Sequence, residues 1–535
     1  MPDLTTTKHE HMTHKFNTTG NPQVGAILFP DHTSAISDEA VRLQILNNVK
    51  HAAKSLLNGK WLRVVIMMTA VSILASCNIS KDVVKPSAPL PETFRNASAV
   101  AAPSTDTVST NAIADVSWKS FFGDPVLQKL IDTAIIKNYD MQLAIQNIEA
   151  AKLLLRQSRW GYAPDVSLQI SGGSSRPSDN SLNGISASQF LKTTHIEDFT
   201  ASVALSWEAD IWGKIRNRKA AALASYLQSE EAIKAVQTNL VASVAQAYYN
   251  LLMLDAQKDI AERNIRLSDS TLRILRFQYN AGQVTALAVQ QAEAQLNTTT
   301  ALLPQIEKDI ALQENALKVL SGELPDSINR NAALASVKLP DSLSAGVPAA
   351  LLSRRPDIRS QELELKIANA EVGISKANMY PALRITASGG LNSFKASNWF
   401  NIPASLFGAA TGSLVQPLLQ KKQLKTDFEL AKVRREQSVI AFRQSVLNAV
   451  GEVSDALVQI EKITTAEQLV NERVQLLHRA TGNARQLFSS GMANYLEVIT
   501  AQGTVLQSEL ELASLNRQKL AARVELYRSL GGGWN

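Results

Sequence analysis

Two uninterrupted runs of helical periodicity constrain this chain more than any other feature. After Pro417 the sequence continues for 118 residues without a proline, the residue that most sharply breaks a helix. From Lys422 to Phe488, Phe442, Val446, Val450, Val453, Leu457, Ile460 and Ile463 recur in steps of three or four, drawing one apolar seam along a helix. Lys214 to Tyr279 is an equivalent run, through Val241, Val244, Ala247, Tyr248 and Leu251. Each run predicts a single helix of about 66 residues, roughly 100 Å long, far beyond what a globular domain needs. After each run a glycine precedes a shorter helix of about 36 residues, Thr285–Leu320 and Tyr495–Leu530, which covers roughly 54 Å and cannot complete the return. Two further helices of about 23 residues, Asp140–Tyr162 and Asp357–Tyr380, make up most of the difference. The expectation is that in each half two stacked short helices run antiparallel to one long one.

The halves follow one plan. Tyr162-Ala163-Pro164, then Ser171-Gly172-Gly173, recur 217 residues later as Met379-Tyr380-Pro381 and Ser388-Gly389-Gly390. Tyr279, Gly282, Leu287, Val289 and Ala292 recur 209 residues later as Phe488, Gly491, Leu496, Val498 and Ala501. The shorter offset places a longer loop, 174–198, in the first half. Between the helices lie short alternating segments. Val166, Leu168 and Ile170 alternate with Ser167, Gln169 and Ser171; Phe199 to Glu208 and Leu383 to Thr386 alternate likewise, and Ser405–Leu418 more weakly. Period-two alternation suits a barrel between lipid and water and equally a soluble, half-buried sheet. Two strands per half give four per chain. Four strands cannot close a barrel, and an open edge cannot sit in lipid. Copies must share one barrel: two would supply 8 strands, three 12 and four 16.

Composition narrows the alternatives. Hydrophobic residues are 45% of 535, enough for a large core, and no apolar run reaches the length of a transmembrane helix. The net charge of +6 is spread along the chain, with no basic patch for nucleic acid. One cysteine, Cys77, excludes an intramolecular disulfide. It closes an ordered leader: Lys54, Lys60 and Arg63, a mostly apolar 12-residue run Val64–Ala75, then Leu74-Ala75-Ser76-Cys77. That ending resembles a bacterial lipobox, in which the cysteine carries lipid. A short buried helix, or a leader cleaved without lipid, would read similarly. Asn78 follows where aspartate favours inner-membrane retention in many lipoproteins, so the reading leans to the outer membrane. Residues 1–50 do not fit a leader, and no methionine lies between Met12 and Met67. Residues 1–50 are therefore expected to be an extension upstream of a start near Val49 or Leu56.

Four segments then resemble the outer-membrane efflux protein family, the TolC-like channels of tripartite pumps, in its NodT-like lipoprotein branch. They are Trp118-Lys-Ser-Phe-Phe-Gly-Asp-Pro-Val-Leu127, Ser206-Trp-Glu-Ala-Asp-Ile-Trp-Gly-Lys214, Gly346-Val-Pro-Ala-Ala-Leu-Leu-Ser-Arg-Arg-Pro-Asp-Ile-Arg359 and Leu526-Tyr-Arg-Ser-Leu-Gly-Gly-Gly-Trp534. The resemblance implies a mainly α fold with a small β part, a helical-barrel tunnel plus a 12-stranded transmembrane β-barrel in a homotrimer. It also implies docking to a periplasmic adaptor and an inner-membrane efflux transporter, taken to be of the resistance-nodulation-division type. The expected divisions are the extension 1–50, the lipoprotein signal 51–76, the acylated tether 77–117, a first repeat 118–321, an equatorial connector 322–345 and a second repeat 346–535.

Site readings follow. Gly282 and Gly491 are helix caps needing positive φ; the resemblance adds that their turns are the tips that touch the adaptor. Some family members carry acidic rings six and nine residues after the tip glycine. Here those positions are Glu497 and Thr500 in the second half, and the first-half counterpart of Glu497 is Ala288. Glu497 is thus a candidate aperture residue or a solvated charge on a helix face. Trp207, Trp212 and Gly213 read as the barrel-to-helix junction, with an interfacial aromatic girdle as the alternative. Their second-half counterpart, Gln416–Lys422, replaces glycines common in the family by lysines, so a differently shaped bend is expected. Arg354 and Arg355 position the helix start at Pro356 rather than bind an anion. No cofactor, metal site or catalytic constellation is expected: beyond the leader only His195 and His478 are available, far apart. The competing classes are a periplasmic coiled-coil scaffold or adaptor lipoprotein without a pore, and a membrane-anchored enzyme.

Overall fold

The structure, a computed structural model, describes residues 90–95, 113, 116–330, 332–340 and 347–534. Cys77 and the leader lie outside the described residues. After a helical turn, Trp118–Phe121, come α1 (Pro125–Lys137) and α2 (Tyr139–Arg159), then β1 (Asp165–Ser175) and β2 (Ile196–Glu208), α3 (Lys214–Asn280) and α4 (Ala286–Leu320). The second half holds α5 (Pro356–Ala377), β3 (Ala382–Ser393), β4 (Leu406–Val415), α6 (Gln423–Ser489) and α7 (Tyr495–Ser529).

The long helices α3 and α6 have 67 residues each, about 100 Å. The short helices stack end to end beside them. Asn138 caps α2 by accepting the Asp140 and Met141 amides, and its Nδ2 donates at 2.9 Å to the Leu320 carbonyl that ends α4. One asparagine therefore satisfies orphan groups of two helix ends. In the second half Arg355 does this work, its Nη1 reaching the Ser529 carbonyl of α7 at 3.1 Å while its backbone precedes α5.

Helices pack in the order α2, α3, α5, α6 near the strands and α4, α3, α7, α6 beyond the stacking point. The main core lies where these layers meet. Tyr248, Tyr249, Leu251 and Leu252 of α3 pack with Phe442, Val446, Val453 and Leu457 of α6, Val524 and Leu526 of α7, and Leu127 and Ile131 of α1. Each such side chain contributes about 1.5–3 kcal/mol of burial. The turn at 118–121 plugs this core: the Phe121 ring stacks on Tyr527 at 4.2 Å, and the Tyr527 hydroxyl donates to the Val116 carbonyl at 2.7 Å. The connector also docks here through Ile328, Leu334 and Leu339. Arg330 grips Asp255 of α3 at 2.7 Å and Glu314 of α4.

One detail departs from expectation and a second follows it. The first hairpin is longer, so its loop shrinks to residues 176–195 and carries a helical turn, Leu182–Ser186. Paired strands cover Ser174, Ser175 and Ile196–Asp198 because backbone pairing needs no side-chain alternation there. The second concerns the bend before α6. Lys422 stands 209 residues after Gly213 and adopts the same left-handed backbone, φ +63° against +73°. Lys421 before it is left-handed as well, φ +49°, whereas Gly213 is the only left-handed residue of the first bend, so the second bend is shaped differently, as expected, and two lysines bear a conformation that glycine adopts freely.

Candidate functional site

The strands form one antiparallel sheet in the order β1-β2-β3-β4, with β1 and β4 unpaired at its edges. Its register aligns the alternation of all four strands. One face carries Val166, Leu205, Ala387 and Ala410 in one row, Leu168, Val203, Gly389 and Gly408 in the next, then Ile170, Ala201, Leu391 and Leu406. The other carries Asp165, Ser206, Thr386 and Thr411, then Ser167, Ala204, Ser388 and Ala409. A continuous apolar face therefore backs a face of hydroxyls and small residues, the division a lipid-exposed, water-filled barrel wall requires. Strands of 11, 13, 12 and 10 residues are long enough to cross the hydrocarbon of a bilayer. Among the described residues no helix is long and apolar enough to cross a membrane.

Where the sheet meets the helices, Trp207 Nε1 donates to the Tyr162 carbonyl at 2.9 Å. Trp212 Nε1 donates to the Pro381 carbonyl at 2.8 Å, and its ring stacks on Tyr380 at 4.8 Å. These two bonds tie the end of β2 to the ends of both short helices. Asp210 accepts the Ile215 and Arg216 amides at 2.8 and 2.9 Å, closing the start of α3 behind Gly213. In the second half Leu419 stands at the position of Asp210, and α6 begins without a side-chain cap.

At the far end both hairpins turn alike. Gly282 and Gly491 have φ +73° and +77°. Gly282 N–H bonds to the Tyr279 carbonyl at 2.9 Å and Gln283 N–H to the Gln278 carbonyl at 2.8 Å; Gly491 and Met492 repeat the pattern at 3.1 and 2.9 Å. This double bond defines the Schellman cap, which needs its residue in the left-handed region. A Cβ at either glycine would point into open space. The two tips join through Leu272, Leu275, Ala288, Phe488 and Val498, and the Tyr495 hydroxyl meets Gln291 Oε1 at 2.6 Å. Deeper, Gln502 donates to Thr271 at 2.9 Å. Glu497 is exposed in the first turn of α7, while its counterpart Ala288 is wholly buried.

Between these ends lies an ion cluster that the sequence hid. Arg355, 5% exposed, grips Asp357 with two bonds of 2.9 and 2.6 Å and Glu452 of α6 at 2.7 Å. Arg528 reaches the same Glu452 at 3.0 Å. Burial pushes the Asp357 carboxyl upward, but the Arg355 hydrogen bonds and charge outweigh it and hold it below the usual carboxylate range. Asp357 precedes Glu452 by 95 residues, and nothing in the sequence pairs them. No group of three or more His, Cys, Asp or Glu able to hold a metal occurs among the described residues.

An open sheet with one lipid-compatible face at the end of a helical rod defines a membrane-spanning β protein with a long helical extension. The family model for outer membrane efflux proteins matches residues 130–323 and 347–532. The chain is 28% identical over 472 residues to the cation efflux system protein CusC of Escherichia coli O6:H1, covering 86% of this chain and 96% of that one. It is 27% identical over 478 residues to the probable outer membrane lipoprotein SilC of Salmonella typhimurium, covering 88% and 98%. A crystal structure of a membrane protein from Pseudomonas aeruginosa superposes with a TM-score of 0.76 at 26% identity, over 85% of this chain and all of that one. The chain belongs to the outer membrane efflux protein family. It is an efflux channel of the outer membrane, with its strands in the membrane and its helices forming the periplasmic tunnel.

Proposed function

We propose that three copies of this chain close a 12-stranded barrel and a continuous helical duct. This is the passive exit of a tripartite pump, fed by an inner-membrane transporter of the resistance-nodulation-division type through a periplasmic adaptor that meets the tips around Gly282 and Gly491. The carrying observation is the apolar sheet face that ends at two unpaired edges, β1 and β4. An unpaired edge in hydrocarbon leaves backbone donors and acceptors without partners, so another copy must supply them. The helices point the same way: the outer helices α2 and α6 leave Leu143, Leu154, Val433 and Leu447 exposed, apolar surface suited to a neighbouring copy. The number three comes from the family resemblance. The small hydroxyl-lined inner face offers little to select a cargo, so the transporter chooses among metals, drugs and other small solutes. The name of CusC, a cation efflux system protein, supports metal cations as one such class. Cys77 lies where the lipid of a lipoprotein would be carried, and SilC is named as such a lipoprotein.

The test is single-channel recording of the purified full chain in planar bilayers. Steady conductance with one unit size supports a duct of fixed stoichiometry. Absence of conductance from folded, membrane-inserted protein would favour the scaffold without a pore.

A further inference from the structure

We propose that the loop between β4 and α6, residues 416–422, is a lipid-interface anchor: Leu418 and Leu419 enter the periplasm-facing leaflet of the outer membrane, and Lys421 and Lys422 engage the phosphates of anionic phospholipids there. The proposal rests on the outer-membrane reading and goes beyond it.

The internal repeat supplies the control. The first-half counterpart of this loop, Trp207–Gly213, turns its side chains inward. Asp210 holds the first amides of α3, and Trp212 is bonded and stacked against the second short helix. Leu419 and Lys421 occupy those two positions in the second half. Neither side chain can make the inward contact of its counterpart, and both are exposed. Leu418 is 83% and Leu419 96% exposed, two adjacent leucines held in the open. Both loops enter their long helix through a left-handed residue, Gly213 and Lys422, but Lys421 is left-handed as well, φ +49°, so backbone and side chains both differ.

Position decides the occupant. The loop begins directly after β4, whose Leu414 lies on the apolar face in register with Leu383. It ends where α6 leaves the sheet. It is therefore continuous with the lipid-facing surface and lies at its periplasmic rim. Lysines are the residues that meet lipid phosphates at such a rim, their stems apolar and their ammonium groups free to reach headgroups. Lys421, Lys422 and Lys425 have no ion-pair partner among the described residues. Leucines deep and lysines shallow is the pattern of an interfacial anchor.

The experiment uses the full chain, with Cys77 kept in place, reconstituted in vesicles of phosphatidylethanolamine and phosphatidylglycerol. Leu419→Cys and, separately, Leu168→Cys carry a small fluorophore. Quenching is read from a nitroxide on the lipid acyl chain and from aqueous iodide. Lipid quenching and iodide protection at both positions are the expected result. Lipid quenching at position 168 with iodide quenching at 419 overturns the anchor and leaves the channel standing. Lipid quenching at 168 with neither quencher acting at 419 places the leucines against a neighbouring copy and also overturns it. No lipid quenching at position 168 overturns the membrane reading itself. Retention of phosphatidylglycerol over phosphatidylethanolamine, counted by native mass spectrometry, should fall on the order of tenfold in Lys421→Gln/Lys422→Gly, which keeps the turn. Unchanged retention overturns the role given to the lysines.

Discussion

Asp357 holds two arms of the Arg355 fork, and this pair fixes the start of α5 against α6 and α7. Its carboxyl is held below the ordinary range, so its contribution to stability is present above the unfolded value of about 3.9 and is lost as pH falls through the lower folded value. Asp357→Asn should therefore lower the thermal midpoint at neutral pH, and the gap from the natural chain should narrow on acidification below about pH 4. A gap that stays constant down to pH 2 would deny the pair this role. Lys422 bears the opposite kind of local cost. A left-handed lysine is disfavoured by about 1 kcal/mol or more, whereas glycine is not. Lys422→Gly should be neutral or raise stability by up to about 1 kcal/mol in denaturant titration of the detergent-solubilised channel. A clear loss would mean the lysine side chain supports the fold.

At the scale of elements, the tips are the parts whose function separates from their folding. Gly491→Arg strains a Schellman cap by on the order of 1 kcal/mol, yet its side chain meets open space, so channel abundance should stay near normal. If the adaptor docks there, resistance and crosslinking to the adaptor should both be lost; normal crosslinking would leave the glycine as a cap only. Glu497→Ala should keep docking, and a raised resting conductance would place Glu497 at the aperture. The leader makes its own claim: Cys77→Ala should abolish incorporation of labelled fatty acid, and undiminished labelling would refute lipidation at that residue. Much of this architecture was legible because its signals are periodic. Seven apolar residues from Phe442 to Ile463 define one helical seam, Gly282 and Gly491 end the long helices, and Val166, Leu168 and Ile170 define a strand face. What escaped is what periodicity does not encode. The Trp118–Phe121 turn and α1 are too short for a seam to stand out, and they form by burying Phe121 against Tyr527. The Arg355–Glu452 and Arg330–Asp255 pairs bridge 97 and 75 residues, contacts fixed by three-dimensional packing.

The whole molecule is two copies of one design: a long descending helix, a shorter return and a two-stranded hairpin, joined so that sheet and helices run in one order from β1 and α2 to β4 and α6. Each layer ends in an uncovered edge, polar backbone in the sheet and exposed leucines on the helices. A single chain cannot place those edges in a membrane without partners. Closure by identical copies through head-to-tail contacts, β4 of one beside β1 of the next, satisfies every edge at once. The central claim is that three chains make one duct. The mass of the full chain in gentle detergent, measured by light scattering with the detergent contribution subtracted, tests it most directly. The account predicts a single species of three chains; a monomer or dimer that still conducts ions in bilayers would contradict it.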